Sequence, residues 1–139
     1  MSSILDQILR EKQNEIKRLK HEEIPANSRR CLSIIKSIKQ KGPIGIIAEI
    51  KRHSPSKGEL NGNVNPIKQA KEYEKAGAAA ISVLTDTPFF KGSFADIESI
   101  RKVVDIPILC KDFIVDPSQI YKSKSVGADA ILLIVAALD

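Results

Sequence analysis

Charged side chains stand at the ends of two apolar segments, and their types suit proton transfer. Glu49 and Lys51 end the segment 44–50, and Lys111 directly follows the segment 106–110. Because Glu49 and Lys51 are two residues apart in a predicted strand, their side chains point to the same face. A charge at the end of a buried strand is costly unless it is paired, and a lysine beside a carboxylate can exchange protons with a carbonyl compound. The pattern indicates an acid–base site that also attracts an anion.

Two loops follow these segments and are predicted to take part in binding. The polar segment 52–65 is long for a strand-to-helix loop, since most have about 2–6 residues, and we expect a mobile lid over an anionic substrate. His53 has no second ligand at metal-binding spacing and is predicted to be a solvent-exposed loop residue, so no metal site is expected. Phe89 and Phe90 lie on the other loop, where at least one could pack on a flat apolar substrate group or cap the neighbouring helices.

Four apolar segments rich in β-branched residues predict parallel strands that are buried on both faces. Helical segments separate them, and the sequence GAAAI at 77–81 returns as GADAI at 127–131. Asp86 and Asp112 follow two of the strands and are predicted to mark only the change from strand to polar loop. The four predicted strands are 44–50, 79–85, 106–110 and 130–135.

Strand–helix alternation with parallel crossovers predicts an α/β fold. The charges at the strand ends favour a barrel over an open sheet, because that rim is where (β/α)8 barrels build their active sites. Two amphipathic segments, about 3–20 and 30–40, precede the first strand. We therefore expect the N-terminal half of a (β/α)8 TIM barrel with four parallel strands, residues 44–139, preceded by a helical N-terminal extension, residues 1–43.

Charge distribution, apolar runs and cysteine content argue against a nucleic-acid-binding, membrane or secreted protein. The net charge of +5 lies within residues 1–43, where ten Lys/Arg meet five Asp/Glu, whereas residues 44–139 are balanced. Because the basic residues alternate with acids, a solvated helix face is expected rather than a nucleic-acid surface. No apolar run approaches the ~20 residues of a membrane span. The N-terminal residues carry early charges and no apolar h-region, so no signal peptide is expected. The two cysteines have dissimilar contexts, so a reduced, cytoplasmic compartment is predicted.

Four motifs in this order resemble those of the indole-3-glycerol-phosphate synthase family. The resemblance extends over the whole chain, including the leading helices. The matching segments are IAEIKRHSPS at 47–56, ISVLTD at 81–86 with FKGS at 90–93, CKDFIVD at 110–116 and GADAILLI at 127–134.

The resemblance implies a tryptophan-biosynthetic lyase that works without a metal or organic cofactor. Its small-molecule substrate would be 1-(2-carboxyphenylamino)-1-deoxyribulose 5-phosphate, which undergoes ring closure and decarboxylation. By motif position, Lys111 would be the general acid, and Glu49 and Lys51 would form the adjoining charge network, with Lys51 also contacting anionic groups. Ser54 would lie near the anthranilate carboxylate, and Phe90 would line the pocket for the aromatic ring.

Length departs from the family pattern, because a whole barrel needs about 250 residues. The sequence stops at Asp139, just past the fourth predicted strand. The resemblance implies that a second glutamate, an asparagine and the glycine-rich phosphate loops would lie on later strands. The truncated chain is therefore predicted to be inactive alone, and the open edges of its first and fourth strands are predicted to favour association.

The same residues bear on three alternative functions. Another phosphosugar-binding barrel, such as phosphoribosylanthranilate isomerase, does not fit the E-x-K-x-x-S-P-S and K-D-F motifs. A catalytically dead half-barrel that acts as a folding or assembly unit, with two copies paired about a two-fold axis, remains open. A basic RNA-binding domain would need interleaved aromatic and basic residues, which the sequence lacks.

Overall fold

The computed structural model describes residues 2–138. Within this range the chain forms six α-helices, a four-stranded parallel sheet, a two-stranded hairpin and a closing 3-10 helix. The helices are α1 (Ile4–Leu19), α2 (Ile34–Gln40), α3 (Pro66–Lys75), α4 (Thr87–Phe90), α5 (Phe94–Arg101) and α6 (Pro117–Ser125). The strands are β1 (Ile47–Ile50), β2 (His53–Ser54), β3 (Gly58–Glu59), β4 (Ala80–Leu84), β5 (Ile108–Lys111) and β6 (Ala130–Ile131).

The main sheet has the strand order β1-β4-β5-β6, and all three pairings are parallel. Helices α3, α5 and α6 connect successive strands of this sheet, as parallel pairing requires. Helices α1 and α2 precede the first strand. The predicted fold class, four parallel strands of part of a (β/α)8 barrel after a helical extension, is confirmed.

Cap residues set the ends of the crossover helices. Asn65 and Asp116 each accept a hydrogen bond from a backbone N–H of the helix that follows, and a proline occupies the first turn in both cases. Gly77 and Gly127, which follow α3 and α6, have φ of +90° and +103°. This left-handed conformation suits glycine because it has no Cβ. Asn-Pro or Asp-Pro before a helix and glycine after it are residue patterns that indicate such helix ends from the sequence alone.

The core lies between the helices and one face of the sheet. Alternate residues of each strand point to this face, and they are mostly β-branched. The buried side chains of this cluster are Ile50, Ala70, Ile81, Val83, Ile97, Ile100, Val104, Ile108, Cys110 and Ala128.

The first and last strands are shorter and more exposed than predicted. Segment 44–50 is extended only at Ile47–Ile50, and Ile44 is 77% exposed. Segment 130–135 is a strand only at Ala130–Ile131, and the 3-10 helix Val135–Ala137 follows. Among residues 2–138, β1 and β6 each pair with one neighbour, so their outer sides stay uncovered. The expectation of burial on both faces was wrong for these two strands.

Helix α1 is amphipathic and packs beside α6. It begins with a capping box in which the side chains of Ser3 and Asp6 each bond to the other's backbone N–H. Ile8, Ile16 and Leu19 form its buried stripe. No helix within residues 2–138 has the length and apolar character that would let it cross a membrane.

Candidate active site at the carboxyl ends of the strands

Glu49 is the centre of a cluster of charged side chains at the carboxyl end of β1. Its Oε2 accepts hydrogen bonds from Lys111 Nζ at 2.7 Å and from Ser82 Oγ at 3.1 Å. Its Oε1 lies 3.0 Å from Lys51 Nζ. The structure therefore brings Lys111, the predicted general acid, together with Glu49 and Lys51, the predicted charge network. It adds Ser82, which was not predicted as a site residue.

Strand register produces this cluster. Glu49 pairs with Ser82 across β1 and β4, and Lys111 pairs with Leu84 across β4 and β5. Because side chains alternate along a strand, Ser82 and Leu84 share one face of β4, which is the face opposite to the core residue Val83. Glu49 and Lys111 point to this same face from the neighbouring strands, so two residues that are 62 positions apart can form an ion pair.

The charge state of Glu49 is set by two opposing effects. Burial alone would raise its pKa, but the hydrogen bonds from Lys111 and Lys51 outweigh burial and lower the pKa below its usual value. Glu49 is therefore a carboxylate at neutral pH. The side chains of Lys51 and Lys111 remain 32% and 38% exposed, which leaves both ammonium groups accessible to an anionic ligand.

A cleft of about 670 Å³ lies beside the charge cluster. Lys51, Ser54 and Phe90, the three residues predicted to bind substrate, all line it. Its volume falls within the usual range for small-molecule sites, and its lining combines apolar walls with a few polar groups. The remaining lining residues are Ile4, Leu5, Ile8, Pro55, Ser56, Lys57, Leu60 and Phe113.

Two phenylalanine rings form one wall of this cleft. The centroids of Phe90 and Phe113 are 6.1 Å apart, and the rings are inclined at 38°. Phe90 ends the short helix α4, where the sequence analysis expected a turn. Phe113 was not predicted as a site residue, although it stands two positions after Lys111 in the segment that follows β5. Its position directly after Lys111-Asp112 is the feature of the sequence that could have indicated a site residue.

Segment 52–65 folds partly into the hairpin of β2 and β3, and it borders the cleft. Arg52 donates two hydrogen bonds to Asp96, at 2.5 and 3.0 Å, and so ties the segment to α5. His53 Nδ1 lies 2.7 Å from the carbonyl oxygen of Phe89. The expectation that His53 is solvent-exposed was wrong, since its ring is half-buried against the neighbouring loop.

Lys12 is a buried lysine that was not predicted from the sequence to be a site residue. Lys12 Nζ lies 2.8 Å from Asp86 Oδ1, 2.8 Å from Asp112 Oδ1 and 2.7 Å from Glu15 Oε2. All three contacts are ion pairs between the Lys12 ammonium group and a carboxylate oxygen. Burial opposes the charge on Lys12, but the three carboxylates outweigh burial and raise its pKa.

The burial and the ion pairs of Lys12 contradict two predictions made from the sequence. The leading helix does not present all of its basic residues to solvent, because the Lys12 side chain is 1% exposed. Asp86 and Asp112 do more than mark strand ends, since both are buried and ion-paired. One signal was available in the sequence: Lys12 stands midway between Ile8 and Ile16, at the spacing of the apolar stripe.

Comparison with known proteins decides the family. The family model for indole-3-glycerol phosphate synthase matches residues 5–139. The chain belongs to the indole-3-glycerol phosphate synthase family. The resemblance drawn from the sequence motifs is thereby confirmed, and the match favours this family over the isomerase and RNA-binding alternatives.

Relatives named indole-3-glycerol phosphate synthase match nearly the whole chain. The protein from Oceanobacillus iheyensis is 52% identical over 138 residues, which are 98% of this chain and 53% of that protein. Those from Bacillus cereus and Exiguobacterium sibiricum are 50% and 49% identical over 99% of this chain and 54% of their own length. The chain spans about half the length of these synthases.

Within residues 2–138, no group of three or more His, Cys, Asp or Glu is placed to hold a metal ion.

Proposed function

We propose that this chain carries the acid–base part of an indole-3-glycerol phosphate synthase site. The reaction would close the indole ring of 1-(2-carboxyphenylamino)-1-deoxyribulose 5-phosphate and release carbon dioxide and water. The observation that supports this proposal is the Lys111–Glu49–Lys51 network, whose Lys51 lines a cleft with an aromatic wall. Family membership supports the reaction type.

In this proposal Lys111 is the general acid that gives a proton to the ribulose carbonyl as the ring closes. Glu49 orients the Lys111 ammonium through a contact of 2.7 Å and holds Lys51 at 3.0 Å. Lys51 binds an anionic group of the substrate, since it is both half-exposed and on the cleft wall. A general acid fixed by a carboxylate in this way lowers the barrier without a metal or an organic cofactor.

Ser54 and Phe90 would hold the anthranilate end of the substrate. Ser54 is buried beside the cleft, and its Oγ accepts a hydrogen bond from the backbone N–H of Lys57 at 3.2 Å. Its own hydroxyl hydrogen can therefore be donated to a carboxylate in the cleft. Phe90 and Phe113 offer the faces and edges against which a planar aromatic ring packs well.

The proposal also covers the setting of the reaction. We expect a small-molecule substrate in the cytoplasm, with no nucleic acid and no membrane surface involved. Residues 1–43 would serve as an extension whose first helix supplies one wall of the cleft, through Ile4, Leu5 and Ile8. Residues 44–139 would provide the first half of the barrel. The groups that bind the phosphate would come from the half that the relatives have in addition.

Substitution of Lys111 tests the proposed function. The chain is mixed with the separately produced C-terminal half of the Oceanobacillus iheyensis relative, and indole-3-glycerol phosphate formation is measured. Lys111→Met should lower the rate by on the order of 100-fold or more, because a general acid contributes that much. The matched control is Lys102→Met, which changes an exposed lysine at the end of α5 and should leave the rate unchanged. An unchanged rate in Lys111→Met would refute the assignment.

A further inference from the structure

The buried ion pairs of Lys12 and the aromatic wall of the cleft are connected. Asp86 Oδ2 accepts hydrogen bonds from the backbone N–H groups of Phe89, at 2.8 Å, and Phe90, at 3.2 Å. Asp112 Oδ1 accepts one from the backbone N–H of Phe113 at 2.8 Å. Two of the three carboxylates around Lys12, Asp86 and Asp112, thus also fix the backbone of both cleft phenylalanines.

Helix α1 also lines the cleft. Ile4, Leu5 and Ile8 line it, and Lys12 lies one turn beyond Ile8 on the same helix. The lysine reaches the ends of β4 and β5 from outside the sheet, so its contacts determine where the first turns of α1 lie over the cleft. Thr85 donates to Asp112 Oδ2 at 2.6 Å and completes the support of that carboxylate.

We infer that Lys12 is a positioning residue that sets the distance between α1 and the wall formed by Phe90 and Phe113. This inference rests on the proposed function only for the identity of the ligand. It assigns to a residue of the N-terminal extension a role in shaping the aromatic-binding part of the cleft. Lys12 itself touches no ligand, because it is buried and does not line the cleft.

Two variants separate positioning from plain stabilisation. Lys12→Met leaves Asp86 and Asp112 as buried carboxylates without a counter-charge, which destabilises the fold strongly. In the triple variant Lys12→Met, Asp86→Asn, Asp112→Asn, the charges of Lys12 and of both buried aspartates are removed, while Glu15 remains and is 29% exposed. Each asparagine oxygen can still accept the phenylalanine N–H. We expect the triple variant to recover the urea midpoint that the single variant loses, but to lack the tether of α1.

Fluorine NMR of the whole chain labelled with 4-fluorophenylalanine is the deciding measurement. The chain has four phenylalanines, so four assignable signals are expected. In the triple variant the signals of Phe90 and Phe113 should shift and broaden. The matched control is Lys17→Met, an exposed lysine on the same helix, which should leave all four signals in place. A folded triple variant with both signals at their wild-type positions overturns the inference.

Titration with anthranilate, a probe for the aromatic end of the substrate, keeps this inference distinct from the proposed function. The triple variant should bind anthranilate on the order of tenfold more weakly than the wild-type chain, because small displacements of a binding wall are costly. If the wild-type chain shows no anthranilate binding, the proposed function of the cleft fails. The fluorine signals still decide whether Lys12 positions α1.

Discussion

Single residues at this site take their charge states from their neighbours. Glu49 is partly buried, and burial alone would favour its neutral form. Its hydrogen bonds with Lys111 and Lys51 reverse that preference, so the carboxylate persists and holds both ammonium groups, of which that of Lys51 belongs to the cleft lining. A lowered pKa in the folded state also means that ionised Glu49 contributes to stability at neutral pH.

Glu49→Gln should therefore reduce stability in a pH-dependent way. Above the ordinary glutamate pKa of 4.5, the wild-type chain should be more stable than the variant. As the pH falls through the lowered pKa of the folded state, wild-type Glu49 becomes protonated and the difference should disappear. Urea denaturation from pH 7 down to pH 3 measures the free energy of unfolding of both proteins.

A surface variant serves as the control for this experiment. Glu98→Gln changes an exposed glutamate on α5 that makes only a long contact of 3.6 Å with Lys102. Exposed pairs of this kind contribute little, so its effect should be small at every pH. A Glu49→Gln effect that is the same at pH 7 and at pH 3 would contradict the ion pairing described here.

At the scale of elements, Asp129 joins the extension to the sheet. Its Oδ1 lies 2.7 Å from Arg29 Nη2 and accepts the backbone N–H of Leu32 at 2.7 Å. Its Oδ2 lies 2.9 Å from Arg101 Nη1 and accepts the backbone N–H of Ile108 at 2.9 Å. This fully buried carboxylate thus connects the segment before α2 with α5 and β5. In the repeat GAAAI at 77–81, an alanine occupies the equivalent position.

Asp129→Asn should lower the free energy of unfolding by about 3–5 kcal/mol, because it breaks buried ion pairs and leaves their arginines uncompensated. Equilibrium urea denaturation gives this value directly. Asp105→Asn, the same change in an exposed loop, should be close to neutral. Equal effects of the two substitutions would show that Asp129 does not carry the connection between the extension and the sheet.

At the scale of the whole molecule, both outer strands leave backbone and apolar side chains uncovered. Within residues 2–138, β1 and β6 have hydrogen-bonded partners on one side only. Ile46 and Ile47 near one edge, and Leu133 and Val135 near the other, are exposed. Open edges of this kind pair readily with other strands. They also favour the second function considered from the sequence, a half-barrel that acts as an assembly unit.

The isolated chain is therefore expected to associate, and Ile46→Lys should weaken that association because a charge at a sheet edge opposes pairing. Sedimentation velocity over a range of concentrations measures the average mass. Ile35→Lys, on helix α2 rather than on a strand, is the matched control because Ile35 is 67% exposed. A monomer at every concentration would show that the edges are not association surfaces.

If the chain has synthase activity alone, the prediction that it is inactive by itself is wrong.

The sequence by itself determined the alternation of the four parallel strands with the helices between them, the caps at Asn65 and Asp116, and the family. Those features depend on local patterns: the period of apolar residues, the preference of proline and glycine for helix ends, and contiguous motifs. Local alternation also placed Glu49 and Lys51 on one face. The same local patterns gave the wrong burial for segments 44–50 and 130–135, since burial depends on whether a neighbouring strand is present.

Only the tertiary structure decided which distant residues meet. Strand register put Lys111 within 2.7 Å of Glu49, and helix packing carried Lys12 into contact with Asp86 and Asp112. A lysine on an amphipathic helix is ordinarily solvated, and an aspartate after a strand ordinarily faces water. Each becomes favourable in the interior only when the other is there to pair with it, and that pairing is a property of the folded chain rather than of either segment.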